Sequence, residues 1–272
     1  MDVGTGLTLL GSARLIEKLL GPTAEYIGGG IKEFAEKRTQ NIQAIFTNAV
    51  EKLGDKINKP GAVPPKVLKE IMTSGSYADD PITTEYFGGV LASSRSESSR
   101  DDRGSSLMAL LGRLSTYQIR THYIIYHLIK LLHDGTDHNI GEARCRNELE
   151  IYIPFEVYVQ GMDFNPEEIN KIEPILEHVI FGLQKESLIE DDFKFGALEL
   201  MKSYFSNLQK PGIILQPSAL GVELFLWAYG KADLIYQDYL KTTTIFPING
   251  NIKIIPGSRV TKQKNRFTVP QP

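Results

Sequence analysis

Cysteine is nearly absent from this chain: Cys145 is the single one. That excludes an internal disulfide and a zinc site built from thiolates, and it makes a reducing cytoplasm the natural setting. Long apolar runs are missing as well, since no stretch reaches the roughly 18 residues that a transmembrane helix needs. Nor does charge of one sign prevail. Thirty Lys and Arg against 33 Asp and Glu leave a formal net charge of −3, which gives no global pull toward phosphate backbones, so nucleic-acid binding would need a local basic patch. Phosphate-loop, dinucleotide-fold and nucleophile-elbow patterns do not occur, because Gly4-Thr5-Gly6 and Gly28-Gly29-Gly30 lack the required spacing and context. What is present is a globular composition, 42% hydrophobic and 23% charged over 272 residues, enough for one large domain or two modest ones.

The first twenty residues carry a broad apolar surface formed by Leu7, Leu10, Leu15 and Leu19 with their neighbours, broken by Arg14, Glu17 and Lys18. A basic start and a small-residue cleavage site are both missing, so the segment does not read as a secretory signal. It reads as an amphipathic helix for packing on its own domain or a partner subunit, or as an interfacial segment at a membrane surface. From Ile31 to Ile57 apolar residues recur at helical spacing, describing a long amphipathic helix that ends near Gly54. Pro60 to Pro65 forces a break, and Val67, Leu68, Ile71 and Met72 then predict a shorter helix.

Asp80-Pro81 predicts a capped helix start, and that helix stops where serines crowd in at Ser93-Ser94. Leu107, Leu110, Leu111 and Leu114 continue a helical pattern, and Ser115-Thr116-Tyr117-Gln118 has the form of a capping box opening the next helix. Residues 149 to 160 alternate apolar and polar, which predicts a strand with Pro154 at an edge or bend. Asn165-Pro166-Glu167-Glu168 opens another helix, which Pro174 kinks or splits. A helix around 196 to 208, a strand at Ile213-Ile214-Leu215, a helix from Ser218 to Tyr229 and an Asn249-Gly250 hairpin follow. The expected fold class is mainly α, with a helical N-terminal domain followed by an α+β, winged-helix-like C-terminal domain. Its segments are 1–58 (the apolar helix plus the long amphipathic helix), 59–140 (helical), 141–260 (α+β) and 261–272 (a flexible tail).

Candidate chemistry is sparse. Arg95, Arg100 and Arg103, interleaved with serines, suit an anion or a partner, because guanidinium forks and hydroxyls both donate to phosphate oxygens. Glu97, Asp101 and Asp102 counter that charge, so a solvated loop with local ion pairs is the plainer reading. His133, Asp134, Asp137 and His138 are metal-ligand types in a stretch that reads as a polar loop, and His122 and His127 lie five apart, off a shared helix face. Cys145 has no evident His partner, and Trp227 reads as core. No catalytic residue, cofactor or metal is expected.

Several segments together bear a family likeness: Gly21 to Gly28, Val63-Pro64-Pro65-Lys66-Val67-Leu68, Phe87-Gly88-Gly89-Val90-Leu91-Ala92-Ser93, Leu110-Leu111-Gly112-Arg113-Leu114-Ser115, and Gln216-Pro217-Ser218-Ala219-Leu220-Gly221 followed by Phe225. In this order they resemble the DUF4393, or Abi-alpha, family of bacterial proteins associated with abortive infection. The resemblance implies a role in stopping phage propagation by damaging or arresting the host cell, and it supplies no known reaction. The expectation is therefore a cytoplasmic phage-defence protein, peripheral to the inner membrane where it meets a membrane surface, acting on a protein partner or on its own copies in a homo-oligomer. The alternative is a winged-helix regulator that binds nucleic acid, for which Lys194, Lys202, Lys210, Lys262, Lys264 and Arg266 are the basic candidates.

Overall fold

The computed structural model describes residues 40–78, 80–98 and 100–241, and the backbone of 258–259, 261–263 and 266–268. Leu7, Leu10, Leu15 and Leu19 and the Asn249-Gly250 hairpin lie outside the described residues. The described residues are mainly helical, with a small four-stranded antiparallel sheet and a separate two-stranded one. The described residues fall into two compact units. One runs to Leu114 and takes in Leu226–Asp233; the other comprises Ser115–Phe225 and the residues from Leu234 onward. The division expected near residue 140 thus falls inside the second unit, and the chain parts at the capping serine instead.

In the first unit a helix over 40–53 buries Ile42, Ile45, Phe46, Ala49 and Leu53, the stripe predicted by the period, and tightens into the 3-10 turn Gly54–Asn58. The Pro65–Thr73 helix buries Val67, Leu68 and Ile71. Asp80 caps the Pro81–Ser93 helix by accepting the Thr83 N–H at 3.1 Å. Every residue from Ile82 to Ala92 in that helix is buried, the polar Thr83, Thr84 and Glu85 included, so it is the central element of its unit. Two glycines make this possible. A side chain on Gly88 would meet the Ile45 carbonyl at 2.9 Å, and one on Gly89 would meet the Ala228 carbonyl at 1.7 Å, so backbone approaches the helix on two sides where only hydrogen fits.

The second unit is organised on the Thr116–His133 helix. Its capping box is formed as the sequence predicts: Ser115 Oγ accepts from the Gln118 N–H at 3.3 Å, and Gln118 Oε1 accepts from the Ser115 N–H at 2.8 Å. Ser115→Ala is expected to cost about 1 kcal/mol, read as a lower urea midpoint; an unchanged midpoint would remove the box from the account. The helix is buried almost all round between Gln118 and Lys130, where the sequence indicated one core face. Asn165 and Glu168 form a second capping box on the Pro166–Ile169 turn, and a separate helix, Ile172–Lys185, begins with Pro174 in its first turn, so the proline splits the two.

The predicted strand over 149–160 requires correction. Only β1 (Ile151–Pro154) is extended, and Phe155–Met162 is a helix. Val157, Tyr158, Gly161 and Met162 are the buried positions there, a helical repeat that alternation had masked. β1 pairs antiparallel with β3 (Gly212–Leu215), which pairs antiparallel with β2 (Lys194–Gly196). A two-residue β4 (Ser258–Arg259) adds to the other side of β1 at Ile151 and Tyr152 only, leaving Pro154 clear of a ladder to which it has no N–H to give. Tyr152 and Ile214, opposite one another, share one sheet face with Met201, Phe205 and Leu208. The helix from Leu198 to Tyr204 is shorter than the expected 196–208, with β2 occupying its beginning. Thr261–Gln263 and Arg266–Thr268 pair antiparallel within the stretch expected as a tail. No helix among the described residues is long and apolar enough to cross a membrane.

Candidate functional site

The three arginines of the 95–103 loop do not converge on one ligand. Arg95 turns back onto the 3-10 turn, donating to the carbonyls of Lys56 at 3.2 Å, Ile57 at 3.5 Å and Lys59 at 2.7 Å. These carbonyls lie at the C-terminal end of the turn, where Lys56 O also accepts the Lys59 N–H at 3.2 Å, and the guanidinium fork there meets the negative end of the helix dipole. Partial burial draws its pKa below the ordinary arginine value. Arg103 makes a fork with Asp101, at 2.9 Å through Nε and 2.6 Å through Nη2, and lies 5.3 Å from the centroid of the Trp227 ring. The hydrogen bond from Arg103 holds the Asp101 carboxyl below its usual range. Arg100 is exposed. Two of the three are thereby engaged with the protein itself.

The imidazoles are likewise placed by packing. His122 is fully buried, and its Nε2 donates to the Gly221 carbonyl at 3.0 Å, which fixes the proton on that nitrogen. Loss of hydration lowers its pKa to about 3. His127 pairs with the Tyr123 hydroxyl at 3.3 Å. His138 lies 3.1 Å from Glu148, and its ring meets that of buried His133 edge-on at 6.3 Å. Among the described residues no group of three or more His, Cys, Asp or Glu is placed to hold a metal ion.

A surface that sequence reasoning did not single out lies in the second unit. Phe181, on the Ile172–Lys185 helix, is 54% exposed although its neighbours Val179, Ile180 and Leu183 are buried. Its ring stands edge-on to Phe193 at 5.7 Å and to Phe195 at 6.0 Å, while Phe193 and Phe195 stack at 6.2 Å. Leu200 and Tyr204 extend the exposed apolar residues along the Leu198–Tyr204 helix. The sequence signal was faint: two phenylalanines two apart in Asp192-Phe193-Lys194-Phe195, which point the same way in a strand, and a third one off the buried stripe of its helix.

Two of the segments that carry the family resemblance are built into the packing, while Gly21 to Gly28 lies outside the described residues. Phe87-Gly88-Gly89 admits backbone on two sides. Ser218 caps the Ala219–Ala228 helix by accepting the Gly221 N–H at 3.0 Å, and the Ser218 N–H donates to the Tyr126 hydroxyl, which itself donates to the Leu188 carbonyl at 2.7 Å. Trp227 is buried, as expected of a core residue. No protein-family model matches the chain, and neither a curated protein nor a solved structure matches it.

Proposed function

We propose that this chain is a phage-defence protein of the abortive-infection type that acts by contact with a protein partner, a further copy of itself or a membrane surface, and not by catalysis. The phage-defence part rests on the sequence resemblance to the Abi-alpha family. The contact part is carried by the aromatic surface of Phe181, Phe193 and Phe195, half open to solvent at Phe181 and continued by exposed Leu200 and Tyr204. An apolar patch of contiguous aromatic rings marks a place where another body sits. The protein works in the cytoplasm, and the apolar face of Leu7, Leu10, Leu15 and Leu19 serves the same purpose at the periphery of the inner membrane or against a partner.

The test is phage plating on cells that express the full chain. Phe181→Asp, at an exposed position, and the pair Leu10→Asp with Leu19→Asp are each expected to abolish protection, with circular dichroism and urea midpoint close to those of the parent. Undiminished protection in both variants would reject the proposal.

The second reading makes the sheet and helices of the second unit a winged-helix-like reader of nucleic acid. It needs a basic face. Lys194 pairs with Asp192 at 2.5 Å and Lys210 with Glu156 at 2.6 Å, so two of its candidate lysines already sit beside carboxylates, which favours the contact reading. A salt-dependent shift with duplex DNA would reverse that order.

A further inference from the structure

We infer that the first unit carries a binding site for a phosphate-bearing ligand, in the cleft between the 3-10 turn Gly54–Asn58 and the loop that follows the Pro81–Ser93 helix. The cleft, of about 260 Å³, is smaller than a typical drug-sized pocket, which suits a phosphate group with at most a small body attached. Lys52, Lys56, Lys59 and Arg95 line it, against two carboxylates, Glu97 and Asp233. In a chain whose overall charge is −3 this is a local excess of positive charge.

The residues divide the work. Lys52 is largely buried, with its side chain 12% exposed; it is held by Glu85 at 2.5 Å and lies 5.2 Å from the centroid of the Tyr229 ring. Its charge is therefore balanced by the protein. Lys56 and Lys59 are exposed, and the nearest carboxylate to Lys56, that of Asp233, stands at 3.8 Å, too far for a hydrogen bond. Arg95 spends its donors on three carbonyls of the turn and contributes positive potential from a fixed position. Ser96 supplies a second kind of observation. Its backbone pairs with Ala62 at 2.9 and 3.1 Å, which holds the loop, while its Oγ is buried without a hydrogen-bond partner. A hydroxyl withdrawn from water costs free energy until something accepts its proton. Gly230 keeps the opposite wall low: its φ of +71° is a left-handed conformation, and a side chain there would press on Lys52 Cβ at 3.1 Å.

Two exposed ammonium groups and one unsatisfied hydroxyl line a small volume beside a guanidinium whose donors are already engaged, so the lysines and the serine are the donors left for a ligand. A tetrahedral phosphate presents several charged oxygens in different directions and answers all of them, whereas a planar carboxylate answers two. The site belongs to the first unit and goes beyond the proposed function, since either can fail without the other.

Calorimetric titration of the full-length protein with inorganic phosphate, with adenosine monophosphate, and with vesicles of phosphatidylglycerol against phosphatidylcholine distinguishes the sources of the group. Binding of phosphate or the mononucleotide identifies a soluble ligand; binding of phosphatidylglycerol vesicles alone identifies a lipid headgroup. In either case the double variant Lys56→Glu, Lys59→Glu, altered only at exposed positions, is expected to bind at least about tenfold more weakly, and Ser96→Ala several-fold more weakly, with urea midpoints near that of the parent. Failure of all three probes to bind, or equal binding by the double variant, would overturn the assignment.

Discussion

Gly89→Ala is expected to abolish cooperative folding of the first unit, the largest effect of any single methyl group in the described residues. The new Cβ would stand 1.7 Å from the Ala228 carbonyl oxygen and 2.1 Å from its carbon. Those are backbone atoms with no rotamer to change. The helix cannot retreat, because on its other side Gly88 already has the Ile45 carbonyl and the Ala49 nitrogen within contact of the place a Cβ would occupy, at 2.9 and 3.2 Å. Moving the 226–233 segment outward instead would pull on the bond from Ser93 Oγ to the Trp227 carbonyl, 2.9 Å long, and on the Arg103 contact with the Trp227 ring. Alanine returns about 1 kcal/mol of helix propensity, which is small beside the roughly 4 kcal/mol or more that backbone overpacking of a closed core costs. The urea transition followed by tryptophan fluorescence, with its single reporter at Trp227, should lose its native baseline. Gly135→Ala is the comparison: nothing lies within 4 Å of that Cβ, though φ is +74°, so its loss should stay near 1 kcal/mol. A Gly89→Ala protein with the parent's midpoint would mean that the close approach of the two segments is wrong.

That glycine pair shows how far the sequence could be read. Local punctuation was legible: Asp80-Pro81, Ser115 with Gln118, Asn165 with Glu168, and the split at Pro174 each act through backbone groups a few residues away, and each is formed. The Gly88-Gly89 motif was visible as a motif, but its meaning was not, because it depends on segments around residues 45 and 228 that only the folded chain brings near. The stretch after Pro154 went wrong for a related reason. Val157 and Val159 alternate like a strand, yet β1 gains its ladder from β3, sequence-distant at Gly212–Leu215, and that partner is only four residues long. Past its end the remaining apolar residues bury as a helix. For the candidate sites, the loop arginines were correctly seen as donors, while the acceptors of Arg95 at residues 56 to 59 and the ring partner of Arg103 lie far away in sequence. The exposed aromatic cluster needed the same long-range information, since exposure is a property of the assembled surface.

Acid should destabilise the second unit well before its carboxylates protonate, and His122 sets the effect. The imidazole is enclosed by the Tyr126 ring, 4.5 Å between centroids, and that of Phe225 at 6.4 Å, and it donates to Gly221 at 3.0 Å. Removal from water is the larger influence on its pKa and the Gly221 bond opposes it, leaving the folded value at about 3 against the ordinary 6.5. Between those two values the unfolded chain binds a proton that the folded chain refuses. Stability is therefore complete above about pH 6.5 and falls with acidity by up to about 1.4 kcal/mol per pH unit, for a total on the order of 5 kcal/mol across the window. His127, lowered by burial, adds with the same sign. Asp101 and Glu168, whose carboxyls are held low by Arg103 and Tyr117 respectively, contribute only below the usual carboxylate range. Urea midpoints measured from neutral pH to about pH 5 should thus fall steadily, a window in which imidazoles and not carboxylates take up protons. His122→Phe leaves the Gly221 carbonyl without its donor and so lowers stability at neutral pH, but the slope against pH should flatten, and the slope is the quantity that reports the proton. Should the His122 ring resonance titrate near 6.5 in the folded protein, or the slope survive the substitution, the imidazole is not shielded from water and the packing of Tyr126 and Phe225 around it is looser than described.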